Sequence, residues 1–573
     1  MAISAKPATA AFARGWPQPK YVASFLLLTC TALLTHGYHL GVGDAEIYLP
    51  GIKQRYDPHL YPFNAQFFSA HSHLSLFAGL IGESARLLHL SVDVAIFLWQ
   101  MVGVFAMVVA GWRVASLCFA GTAARWGAVA LLTATLATPV AGTAIPIMDP
   151  YLDSRSLSTP MILLAIESYF GGRKKSAAAW LAATALIHPQ MAVFGVGFVL
   201  LTEVESWLAR LRRLTVTDGK RSVILRFVQD QSSQRSHCAA LAPGTPEPHA
   251  KHPGFFEWIT APLPALLASL LVLLVMVSVP LALPKSFPLG VAQGAYRDVL
   301  YSRPFFFVFE WRWWEWVGVF CPLAILYGLG RRPPHGALPP MRAITSALMP
   351  FAGVSLAYAM LLDSTHRLDY WVRLQPMRSF QLVYIFLFLF LGGALGEWLL
   401  KDRAWRWIAL FLPMGTGMYL WARVDYPQSR QVEWPTGSAE ANPWLEAFFW
   451  VRGNTPTDAM FALDPQYVGR DDTHGFRAIA ERSALADSLK DSGAASVFPG
   501  LASEWRRQQE AQSGWREFGV EDFERLRREY GVDWVVVEHP PVGLMCPYQN
   551  ATVAVCRVGV AFQANAHHLS HSR

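Results

Sequence analysis

Apolar residues in this chain come in blocks of about 18–25, the length at which a helix crosses the hydrocarbon core of a bilayer. No other feature constrains the fold as strongly. Only 16% of the residues are charged and 53% are hydrophobic, against roughly 25% charged in soluble domains. The candidate spans are 21–38, 94–118, 124–143, 158–171, 176–188, 189–207, 259–281, 313–329, 342–362, 380–399 and 404–422. The reading is a polytopic α-helical membrane protein of about eleven transmembrane helices with a small C-terminal α/β domain.

Loop charges orient these spans. Arg125, Arg173-Lys174-Lys175, Arg210, Arg212, Arg213, Lys220, Arg221, Arg331-Arg332, Lys401 and Arg403 all fall on one side if the N-terminus is cytosolic, as the positive-inside rule expects. That arrangement needs a break at His188-Pro189, because proline ends or kinks a helix. The net charge of +7 is thereby a topology signal, and no nucleic-acid partner is expected.

The resulting division is a cytosolic 1–20, a membrane domain 21–422 and a soluble extracytoplasmic α/β domain 423–573. Within the membrane domain, 39–93 is a first outer loop with a surface helix, and 210–257 is a flexible cytosolic linker. Cys546 and Cys556 lie close together in the tail and can form a disulfide if that tail is extracytoplasmic.

Polar residues at the ends of apolar runs are the candidate site. Asp44 and Glu46 follow the first run, and in an extended segment residues two apart share a face. Next comes Asp149-Pro150-Tyr151-Leu152-Asp153-Ser154-Arg155, with Asp153 also readable as a helix cap. His188 interrupts an apolar run, and Arg373 and Arg378 flank another. Guanidinium groups there suit a phosphate through bidentate hydrogen bonds. His71-Ser72-His73 reads as structural, since helix residues two apart do not face each other. No phosphate-binding glycine loop or nucleophile-elbow serine appears.

A first span, an outer loop opening with Asp44-X-Glu46-X-Tyr48, a surface helix, some ten further spans and a soluble tail containing Trp450–Ala459 resemble the GT-C glycosyltransferases. The resemblance implies a bacterial inner-membrane enzyme moving a sugar from a polyprenyl-phosphate donor to a hydroxyl acceptor on the outer face. It implies Asp44 as general base, with Glu46 orienting the acceptor or holding a divalent cation (magnesium or manganese). Asp153, Arg155, His188, Arg373 and Arg378 would meet the lipid phosphate. A lipid-linked-sugar transporter or a non-catalytic scaffold is the alternative.

Overall fold

The structure is a computed structural model that describes residues 19–207, 290–365, 367–435, 442–469 and 472–559. The expected span 259–281 and the expected linker 210–257 lie outside the described residues.

Three helices among the described residues are long and apolar enough to cross a membrane: Val92–Cys118, Pro339–Ser364 and Asp369–Leu400. A shorter apolar helix covers Lys20–His36. This corrects the expectation of about eleven spans. Thr122–Ala134 has 13 residues and Lys174–Ile187 has 14, so at 1.5 Å per residue each reaches only about 20 Å, against roughly 30 Å of hydrocarbon. Trp313–Arg331 and Ala404–Asp425 are long enough but fall short in apolarity. The chain does break at His188: one helix stops at Ile187 and the next runs 189–207.

The largest apolar core lies among these helices and includes Phe386, Phe390, Leu132 and Met107. Backbones meet closely there, and the Phe380–Leu395 helix packs along Thr122–Ala134. A short hairpin, β1 (Pro139–Val140) and β2 (Ile145–Pro146), precedes the helix Ser154–Phe170.

Helices and strands alternate after residue 442. β3 (Met460–Leu463), β4 (Ser483–Ala484), β5 (Trp534–Val537), β6 (Met545–Gln549) and β7 (Ala554–Arg557) form one sheet in the order β4-β3-β5-β7-β6. β3 is parallel to both β4 and β5, whereas β7 runs antiparallel to β5 and β6. β3 and β5 are almost wholly buried, which is why both read as continuous apolar runs rather than alternating ones. Cys546 and Cys556 are joined by a disulfide across β6 and β7.

A second apolar core unites the first loop with this α/β layer. Tyr38 and Val42 make β-bridges to Val432 and His474. The nitrogen of Gly475 donates to the carbonyl of Gly41 at 2.7 Å. Any Cβ on Gly475 would stand 2.5 Å from the side chain of Glu46, so glycine is required for the approach.

Glu433 sits between His39 (3.3 Å) and His474 (2.8 Å), all three buried. Burial pushes the Glu433 carboxyl up, but the two imidazoles outweigh it and hold it below its ordinary 4.5. Burial lowers His474, yet Glu433, with Asp472 behind it, raises it above 6.5. The raised histidine stabilises the fold fully below about pH 6.5 and loses that contribution as pH rises through its folded value. The depressed glutamate contributes above about pH 4.5 and loses it on acidification. Melting temperature is therefore expected to fall as pH rises above about 6.5, and Glu433→Gln is expected to flatten that slope. An unaltered slope in the variant would remove the triad from the account.

Candidate functional site

Asp44 stands at the start of the helix Ala45–Tyr56 and makes no side-chain capping bond, so its carboxylate is available to other elements. The turn before it requires glycine. Gly43 has φ 57°, and the Tyr151 ring lies 2.5–2.6 Å from where a Cβ would stand. The Tyr151 hydroxyl accepts from the Asp44 nitrogen at 3.1 Å.

Opposite Asp44 is Arg155, in the first turn of Ser154–Phe170. Asp153 caps that helix by accepting from the Ser156 nitrogen at 2.9 Å. Arg155 is buried and meets three carboxylates: Asp153 at 2.7 Å, Asp149 at 2.9 Å and Asp44 at 3.2 Å. Lys490, from the α/β layer, reaches Asp44 at 3.3 Å. Burial alone would raise the Asp44 carboxyl, but Lys490 and Arg155 outweigh it and hold it well below the usual carboxylate range.

Asp44, Arg155 and Lys490 line a cavity of about 410 Å³. Asp44, Arg155, His188, Arg373 and Arg378, all singled out from the sequence, are among its walls. So are Tyr48, named above only within the Asp44-X-Glu46-X-Tyr48 pattern, His71, read above as structural, and Arg303 and Lys490, which sequence reasoning missed. Tyr48 was signalled by lying one helical turn beyond Asp44. Lys490 and Arg303 had no local signal, because only the folded chain brings them near residue 44.

The cavity is strongly cationic. Arg303 is bound by the Leu489 carbonyl and, at 2.6 Å, by the Ser492 hydroxyl. Arg373 donates to the Val497 carbonyl at 3.1 Å. Arg378 contributes a guanidinium whose buried Nε has no hydrogen-bond partner among the described residues. None of these three arginines has a carboxylate within 4 Å among the described residues. Burial, then Arg155 and Arg378, pushes His188 down, and burial pushes His71 down. Both imidazoles are therefore neutral near pH 7.

Glu46 does not join the cavity. The segment is helical, not extended, so positions 44 and 46 point about 200° apart. Glu46 is buried instead against the α/β layer, where the Tyr467 hydroxyl donates to it at 3.3 Å. Burial, then Asp487, raises its carboxyl well above the ordinary range. The two acids thus supply no shared ligand set for the expected divalent cation. Among the described residues no group of three His, Cys, Asp or Glu side chains could hold a metal ion. Asp153 likewise serves as helix cap and Arg155 counterion, not as cavity wall.

No protein-family model matches the chain, and no curated protein matches it. Together with three membrane-length helices in place of eleven, this overturns the resemblance to GT-C glycosyltransferases. The sugar-transfer function, the enzyme assignment and the transporter alternative fall with it. Asp44 also lacks the property required of a general base: a carboxylate held ionised by two cations is a poor proton acceptor. The molecule is described by its parts: a bundle containing three membrane-length helices, an α/β layer, and a basic cavity between them.

Proposed function

We propose that the cavity binds a phosphate-bearing amphiphile at the membrane surface. The observation that carries this is the convergence of Arg303, Arg373 and Arg378, none with a carboxylate partner among the described residues, on one cavity. Unmatched guanidinium groups in a concave site favour a phosphate through charge-assisted hydrogen bonds. The tail is suggested by the rim. Leu74, Val193 and Leu374 line the cavity and are 54%, 60% and 40% exposed, and Phe305 and Phe306 continue the apolar wall. Arg373 and Arg378 lie just before the apolar helix Phe380–Leu395, within the membrane-length stretch Asp369–Leu400, and the proposal sets their charge at head-group depth. The particular ligand that fits this reading is a polyprenyl phosphate, with or without a sugar on the phosphate.

The α/β layer supplies Lys490 and Val497 to the cavity wall, so cavity and layer share one side of the membrane in this proposal. The Cys546–Cys556 disulfide supports the extracytoplasmic side, since disulfides persist in oxidising compartments.

Affinity measured in nanodiscs for polyprenyl phosphate and for the corresponding neutral polyprenol tests the reading. The phosphate form is expected to bind at least about tenfold tighter, the worth of one charged hydrogen bond. Equal affinities would overturn it. In the same assay Asp44→Asn should tighten phosphate binding by about fivefold, roughly 1 kcal/mol, because Lys490 and part of Arg155 are released toward the ligand. Weaker binding in that variant would instead make Asp44 a ligand contact.

A further inference from the structure

We infer that the α/β layer carries a second ligand site, separate from the basic cavity, that takes a neutral polyhydroxylated ring of the sugar class. The topology locates it. In the order β4-β3-β5 the chain leaves β3 for a neighbour on one side and then returns to the other side. Both pairings are parallel. Such a reversal opens a crevice beyond the carboxyl ends of the two strands, where ligands of open α/β sheets bind.

A cavity of about 380 Å³ opens at that place, within the range of small-molecule sites, about 300–1,000 Å³. Asp464 follows the last residue of β3 directly, and Glu538 follows the last residue of β5; both line the cavity. Trp515 and Phe518 form its aromatic wall, half-buried and held by Phe523 with ring centroids 5.2 and 5.5 Å away. Trp444 closes the other side, stacked on Tyr467 at 5.5 Å.

The chemistry narrows the ligand. Carboxylates at strand ends accept hydrogen bonds from hydroxyl groups, and an aromatic face packs against the C–H face of a ring. Arg516 and His539 also line the cavity, so the two acids are not an unbalanced negative site for a cation. β3 runs on as Asp464-Pro465-Gln466-Tyr467, without the glycine turn that would admit a phosphate to a helix N-terminus. A neutral ring bearing hydroxyls satisfies all these walls.

Saturation-transfer NMR on the full chain in detergent, with D-glucose, D-galactose and D-mannose as separate probes, tests this. At least one hexose should receive saturation at its ring C–H protons. Trp515→Ala and Glu538→Gln should each weaken that binding by about tenfold, as expected for one lost hydrogen bond or stacking face. Polyprenyl-phosphate affinity at the basic cavity should stay unchanged, which separates this site from that one. Glu538→Gln and Asp464→Asn are near-isosteric, so they retain a test if Trp515→Ala unfolds. The proposal is overturned if no hexose binds. Hexose binding indifferent to all three substitutions, or tetramethylammonium binding in place of every hexose, would overturn it as well.

Discussion

Arg378→Ala lowers affinity for polyprenyl phosphate by one to two orders of magnitude and leaves the unfolding temperature within error of the parent. The two halves of this expectation share a cause. Arg378 has no carboxylate within 4 Å among the described residues, and its buried Nε has no hydrogen-bond partner there. Truncation therefore strands no buried acid and breaks no ion pair. What it removes is a guanidinium aimed into the cavity, and hydrogen bonds to a charged group are worth about 1.5–3 kcal/mol, or some 10- to 150-fold. Arg378→Lys should fall between, keeping the charge but losing the planar fork. The measurement is a titration in nanodiscs beside thermal unfolding of the same samples. Unchanged affinity in a folded Arg378→Ala protein would remove this residue, and with it the main support for a phosphate site.

Lys53→Met is expected to have the opposite signature, a large loss of stability. Lys53 is 1% exposed. Its ammonium meets Asp93 at 2.8 Å and Glu481 at 2.9 Å. Arg452 bonds the same two acids at 2.7 and 2.8 Å. This four-membered network ties the Ala45–Tyr56 helix to the start of Val92–Cys118 and to the α/β layer. Removing one cation leaves Arg452 alone with two carboxylates, and breaking a buried pair from one side costs about 3–5 kcal/mol. Adding Glu481→Gln should recover a good part of that loss, because it removes the stranded charge. Equilibrium unfolding of the single and double variants checks both statements. A loss below about 1 kcal/mol for Lys53→Met, the worth of an exposed pair, would mean the network is not buried in solution.

Hydropathy along the chain was enough to locate the three long helices. The expected spans 94–118, 342–362 and 380–399 overlap Val92–Cys118, Pro339–Ser364 and Asp369–Leu400. It overcounted elsewhere because an apolar run reports only that a segment avoids water. Burial within protein produces the same run as burial in lipid. Thr122–Ala134 shows this, with Leu131, Leu132 and Val129 packed in the protein core on a helix too short to span. The candidate site was partly legible for a different reason. Charged residues at the ends of apolar runs are costly unless used, and that picked out Asp44, Arg155, His188, Arg373 and Arg378 without reference to geometry.

Composition and spacing alone determined that long apolar helices exist and which polar residues stand at the ends of apolar runs. Each of these follows from the local transfer free energy of a short segment. Tertiary structure alone decided that Glu46 turns away from Asp44, that Lys490 returns from 446 positions later to hold it, and that Arg303 lines the same cavity. Those outcomes depend on helix phase and on contacts between distant segments, and a linear pattern specifies neither.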